Sequence, residues 1–412
     1  MLQFGVTTRM RVKVGFICSL VCVSALSVRA DRDVYLLGTP DYTWYAGCFG
    51  TATGNLMGYW DRNGFGDFYT GPTAGGVAPL NNNGANVGIR SLWANRAGFD
   101  GRPADQPGHI DDYWSRYAGE FDYSYQDPGP DPYVTAGRAE HAPDCIGDFI
   151  GLSQRKWTNM NGECDGNVDA FSFVYWGTNG NRRLNYAPTT PLGQPAPDIQ
   201  SGLRAWTQFR GFDADVFTQL VDFNPRTPVG TGFTFEDVKR EIDAGYPLLV
   251  FLQDYNEFYR SFTGLPRGNP EIHGMMVYGY QEFTEFGINY VRCRTSWGTG
   301  DDAIYAWTAN PWVNGILSVR GVIGYRPKPK VMRIQHDGAQ ITISWQGPSS
   351  QVRHALANVT TPAHRYAIEK SSALAGASWT PVGSITTDLS TTIPAGGDGM
   401  AFYRVKLLGP NE

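Results

Sequence analysis

Six cysteines and six histidines in 412 residues are few enough to follow one by one. A cysteine becomes a nucleophile as its thiolate, which a helix N-terminus and a neighbouring imidazole favour. Cys48 stands in such a setting. Tyr45-Ala46-Gly47 predicts a turn before it, and the run from Phe49 to Trp60 predicts a helix, with Leu56, Tyr59 and Trp60 at packing spacings. A base is then required. His336, His354 and His364 fall in the C-terminal tail, His109 precedes Ile110-Asp111-Asp112, and His141 sits in loop-like sequence beside Glu140 and Pro143. His273 differs, because it opens the strand-like run His273-Gly274-Met275-Met276-Val277-Tyr278-Gly279-Tyr280. A rigid strand is what an imidazole needs to stay within reach of a thiol. Further on, Asn289 to Arg294 predicts another strand, running into Thr295-Ser296-Trp297-Gly298. The chemistry open to such a set is covalent acyl transfer, with the imidazole moving the proton.

These segments, with Trp44-Tyr45-Ala46-Gly47-Cys48-Phe49-Gly50-Thr51-Ala52-Thr53, resemble papain-like cysteine peptidases of the C39-like type across about residues 37–326. The resemblance implies an α+β papain-like domain, with an N-terminal nucleophile helix and a later antiparallel sheet. It also implies peptide-bond hydrolysis through a thioester, with Cys48 as nucleophile and His273 as base. Thr295 stands where the family places the Asn or Asp that orients the base. The Cys48 N–H is the implied oxyanion donor, and Tyr42 stands six positions before Cys48 where the family has a Gln. The two helper positions thus depart from the family pattern. Two other readings use the same residues: a catalytically silent domain that binds extracellular ligands, and a transglutaminase-like or amidase-like acyl transferase. No cofactor is called for.

The elements that position these residues follow from periodicity. Gln200 to Phe209 and Phe235 to Ala244 predict helices, and Tyr246 to Leu252 a buried strand. The 225 positions from Cys48 to His273 exceed the spacing usual in papain-type enzymes, and a loop-rich insertion over about residues 68–198 accounts for the excess. Tyr325-Arg326-Pro327-Lys328-Pro329-Lys330 reads as an extended spacer, which ends the main domain at 326 and makes 327–330 a linker. Beyond it, residues 331–412 alternate with period two at Gln340 to Trp345, Tyr366 to Lys370 and Phe402 to Lys406, predicting a small all-β sandwich that resembles fibronectin-like accessory domains. Trp345, Trp379 and Tyr403 read as its core, or else as a sugar platform facing a cell-surface or polymeric ligand.

Residues 1–30 carry Arg9, Arg11 and Lys13 ahead of the apolar run Val14 to Val28 and then Val28-Arg29-Ala30, the pattern of a secretory signal cleaved after Ala30. A secreted, extracellular or periplasmic monomer without a membrane span is the expectation. Export permits disulfides. Cys145 and Cys164 bracket a segment rich in Gly, Asn and Asp, where a bridge would staple a long loop, and Cys293 reads as a buried thiol. The acidic runs Asp127 to Asp131 and Asp165 to Asp169 offer oxygen ligands for a structural calcium, with solvated turns the plainer reading. A net charge of -5 is mild for this length and argues against nucleic acid as a partner; a protein or peptide substrate is the expected one.

Overall fold

The first helix is buried on every side. In α1 (Cys48–Arg62) every residue from Phe49 to Asp61 is buried, so chain must pack around it in all directions. A computed structural model describes residues 31–45, 48–71, 77–93, 145–150, 174–187, 198–254, 272–283, 285, 287–296, 302–308, 317–348, 352, 354, 364–374, 378–396 and 400–409. On one side of α1 lies an eight-stranded sheet made of β1 (Arg32–Tyr35), β2 (Arg183–Leu184), β3 (Asp213–Leu220), β4 (Leu248–Asp254), β5 (Ile272–Phe283), β6 (Ile288–Arg294), β7 (Asp302–Ala306) and β8 (Leu317–Lys328). Its order is β2-β3-β8-β4-β5-β6-β7, with β1 pairing the outer half of β5. All of these pairings are antiparallel.

Three further helices complete this part of the described chain: α2 (Ile146–Phe149), α3 (Ile199–Phe209) and α4 (Phe235–Asp243). Helix α4 begins with a reciprocal cap. The Asp237 N–H donates to Thr234 Oγ1 at 3.1 Å, and the Thr234 N–H donates to Asp237 Oδ2 at 2.8 Å, which satisfies two amides that a helix start leaves open. On the other side of α1, Trp93 and Tyr42 lie against Gly54 and Gly58. A Cβ at Gly54 would stand 2.4 Å from the Trp93 ring, so this close approach requires glycine.

The expectation of an α+β papain-like domain is corrected: antiparallel sheet dominates the described residues. Two long strands account for much of the difference. The alternation in β3 is weak, because Asp213 and Asp215 carry charge and Thr218 and Gln219 are polar. Strand β8 runs through Pro327 and Lys328, residues that read as a spacer. Proline is tolerated there because β4 pairs β8 only as far as Gly324, leaving β3 as its single neighbour at Pro327.

After β8, the chain forms two three-stranded antiparallel sheets. One contains β9 (Lys330–His336), β10 (Gln340–Gln346) and β13 (Ser390–Pro394), the other β11 (Tyr366–Ser371), β12 (Thr380–Thr386) and β14 (Phe402–Leu407). Ile343, Trp345, Tyr366 and Ile368 are buried between them, so Trp345 belongs to a core and offers no sugar platform. This unit packs on the end of α1 remote from Cys48. The His364 ring lies 6.5 Å from that of Trp60, His354 Nε2 lies 3.0 Å from the Ile242 carbonyl, and the Tyr246 hydroxyl donates to the Leu408 carbonyl at 3.1 Å. Trp60 is twelve residues from Cys48, about 18 Å at 1.5 Å per residue.

Near the same end of α1, Asp61 accepts the N–H groups of Tyr69 and Ala78 at 2.8 and 2.7 Å, tying the following loop to the helix. Burial outweighs those bonds and raises its carboxyl to about 7. Asp61→Ala strands two buried amides and costs roughly 2–4 kcal/mol in urea unfolding. Because the folded carboxyl titrates near 7 and the ordinary one near 3.8, its protonated form favours the fold. The stability of wild type relative to Asp61→Asn therefore falls as pH rises from about 4 to about 7, then levels off. Urea midpoints for both proteins across that range check the sign, and a rising difference would contradict it.

Candidate active site

The segment ahead of Cys48 is held residue by residue. The Tyr42 N–H donates to Asn55 Oδ1 at 2.8 Å, and Thr43 makes a two-way pair with the Asn82 amide at 2.9 and 2.8 Å. Trp93 Nε1 donates to the Tyr45 carbonyl at 2.8 Å, while the Tyr45 N–H donates to Thr51 Oγ1 at 3.0 Å. Arg90 lies 4.8 Å above the Tyr45 ring. Asn55, Asn82 and Thr51 are fully buried, so these bonds form in low dielectric, where they hold geometry firmly. The result is a fixed approach to the first turn of α1.

Cys48 is the first residue of α1 and remains partly exposed. Desolvation pushes the thiol pKa up, against the opposing pull of the main-chain N–H groups of Gly274, Phe49 and Cys48 itself. Gly274 is the residue after His273 on β5. The start of α1 and the strand that carries His273 thus meet at Gly274. The approach depends on glycine, because a Cβ at Gly274 would lie 2.6 Å from the Phe49 ring.

His273 is buried, and Nε2 lies 2.7 Å from the backbone carbonyl of Thr295. A carbonyl only accepts, so Nε2 carries the hydrogen and Nδ1 has the lone pair. Burial pulls the imidazole below its ordinary 6.5, and the Thr295 carbonyl opposes part of that shift. A raised thiol and a lowered imidazole both favour the neutral pair at rest. The chemistry such a pair can do is general-base attack, with the proton leaving sulfur as a bond to carbon forms.

Of the two helper positions, Thr295 meets His273 through its main-chain carbonyl. Tyr42 does not reach the site. Its ring stacks on Trp93 at 5.1 Å and its hydroxyl donates to the Pro79 carbonyl at 2.8 Å, beside Gly58. Gly58 lies ten residues along α1, about 15 Å from its start, so Tyr42 is corrected from oxyanion donor to core residue. Tyr42→Phe removes one buried hydrogen bond and costs about 1 kcal/mol in urea unfolding, while thiol chemistry at Cys48 stays within about twofold. Thr295→Val keeps the carbonyl and likewise changes the rate of Cys48 alkylation by less than about threefold. A loss of a hundredfold or more in that rate would return the orienting role to the hydroxyl.

Cys145 and Cys293 are buried, the latter in β6 opposite Val277. The predicted partner of Cys145, Cys164, lies outside the described residues, as do His109, His141, Trp297, Gly298 and both acidic runs read as calcium ligands. Among the described residues no group of side chains could hold a metal ion, and no helix is long and apolar enough to cross a membrane. Sequence reasoning missed Gly274 as a partner of the thiol, although the His-Gly pair was in view. It also missed Asn55, Asn82 and Trp93, whose hydrogen bonds fix the approach to Cys48. No protein-family model and no curated protein matches this chain.

Proposed function

We propose that this chain is an exported cysteine peptidase that hydrolyses peptide bonds through a Cys48 thioester. The observation that carries the reading is the Cys48 thiol at the start of α1, acted on by the amide of Gly274, the residue that follows His273 in β5, with His273 Nε2 held by the Thr295 carbonyl. The likeness of the Cys48, His273 and Thr295 segments to C39-like peptidases supports it. In the acylation step the thiol proton passes to His273 Nδ1 as sulfur bonds to the substrate carbonyl carbon. The C–N bond then breaks and Nδ1 returns the proton to the leaving amine. In the second step water attacks the thioester, His273 takes its proton, and the C–S bond breaks to restore the thiol. Backbone N–H groups at the first turn of α1 are the donors available to a developing oxyanion.

Export rests on residues 1–30, and cleavage after Ala30 leaves the first strand whole, since the Asp31 N–H already bonds the Glu282 carbonyl at 2.9 Å. Sequencing the N-terminus of protein recovered from the medium or periplasm should read Asp31-Arg32-Asp33; a retained leader would contradict this. For the activity, the purified protein is incubated with a mixed peptide library, quenched early and analysed by mass spectrometry. Cleaved peptides together with an acyl mass on the Cys48 peptide are expected. Neither cleavage nor acylation across the library would leave a binding module and remove the hydrolase.

A further inference from the structure

Immediately after Thr295 the backbone does something unusual. Ser296 has φ of +66°, one of three non-glycine residues with positive φ among the described residues, and it is fully buried. Side chains with a Cβ enter this left-handed region at a cost of roughly 1–2 kcal/mol. Asn and Asp enter it most readily, aided by local hydrogen bonds from their short side chains. The other two cases here, Asn179 and Asn185, are of that kind. Ser296 has no such help, because its Oγ finds no hydrogen-bond partner among the described residues. A strained residue persists only where its surroundings over-determine it, and such residues gather at functional sites.

The position of the strain suggests its use. Strand β6 ends at Arg294, and the Thr295 carbonyl leaves the ladder to meet His273 Nε2 at 2.7 Å. The peptide plane that carries this carbonyl is the Thr295-Ser296 unit, whose far side is set by φ of Ser296. We propose that Ser296 is a positioning residue: its left-handed backbone turns the Thr295 carbonyl onto His273 Nε2, so that a main-chain carbonyl stands in for the Asn or Asp side chain of the resembled family. It rests on the reading of His273 as base, and it assigns the tautomer of that base to backbone conformation. Glycine enters the left-handed region without penalty, alanine tolerates it about as serine does, and the β-branched valine resists it.

The experiment labels histidine with ¹⁵N in the full mature chain and follows the ring nitrogens of His273 by NMR, in wild type, Ser296→Gly, Ser296→Ala and Ser296→Val. Wild type, Ser296→Gly and Ser296→Ala are expected to show a protonated Nε2 and a bare Nδ1. Ser296→Val is expected to lose this preference and to lower the His273 pKa, since the lost carbonyl favoured the charged ring. Alkylation of Cys48 at pH 7 runs in parallel, with the glycine variant within about threefold of wild type and the valine variant slower by about tenfold or more. Should Ser296→Val fail to fold, the glycine and alanine variants still decide. Loss of the Nε2–H tautomer in both would overturn the proposal and assign the role to the hydroxyl, as would its retention in a folded valine variant. The ring signals judge the inference whether or not the protein cleaves peptides, so failure of the peptidase reading remains separately visible.

Discussion

On the proposed peptidase reading, replacing Cys48 by alanine is expected to lower the hydrolysis of dye-labelled casein to at most about 10⁻⁴ of the wild-type rate, and replacing His273 by alanine to do nearly the same. The two act as one unit, so the double variant is expected to be no slower than the worse single one. Additive losses, or a His273→Ala enzyme at a tenth of the wild-type rate, would mean that another group takes the thiol proton. The pH profile carries a sign as well. His273 is held below its ordinary 6.5 by burial, and only the neutral ring accepts a proton. The acid limb of kcat/KM is therefore expected to lie below pH 6.5. Activity rises as pH climbs through that limb, because neutral imidazole replaces imidazolium.

The next largest effect is expected at Gly274, a residue with no side chain to take part in chemistry. A Cβ there would stand 2.6–2.8 Å from three atoms of the Phe49 ring, and Phe49 is backed by Phe251 at 5.4 Å, so the ring has little room to retreat. Gly274→Ala should cost about 1–3 kcal/mol through overpacking. It should also move the start of α1 away from β5, weakening the amide contact with the sulfur; a displacement near 1 Å costs on the order of 10²-fold in rate. Phe49→Leu in the same chain makes space, so the double variant is expected to recover at least part of both losses. A double-mutant cycle with urea melts and casein hydrolysis checks this. Full activity in Gly274→Ala alone would show that the approach of helix to strand does not set the reactive geometry.

How much of this could be read in the residues varied with how each signal is encoded. Helices α1, α3 and α4, strands β4, β5 and β6, and three strands of the sandwich follow from apolar periodicity, which reports burial directly. Strand β3 carries charge at Asp213 and Asp215, and β8 contains Pro327, so neither matched the pattern that a buried strand is expected to show. Missing them concealed how far antiparallel sheet dominates. At the candidate site, Cys48 and His273 could be singled out because thiol and imidazole have few competitors in this chain. The orienting acceptor could not, since every residue has a carbonyl and residue type says nothing about where it points. Tyr42 misled for a related reason. Its distance from Cys48 in sequence matched, but the bond from its N–H to Asn55 directs the ring toward Trp93.

The central claim is that His273 takes the proton from Cys48, and it can be tested without any substrate. Wild-type protein and His273→Ala are treated with iodoacetamide at pH 7, and the alkylation of Cys48 is followed by peptide mass spectrometry, with buried Cys293 as internal reference. Cys48 in wild type is expected to react faster than Cys293, and about 10²-fold faster than Cys48 in the variant, within the range a positioned base contributes. Rates at Cys48 that agree within twofold between the two proteins would contradict the claim.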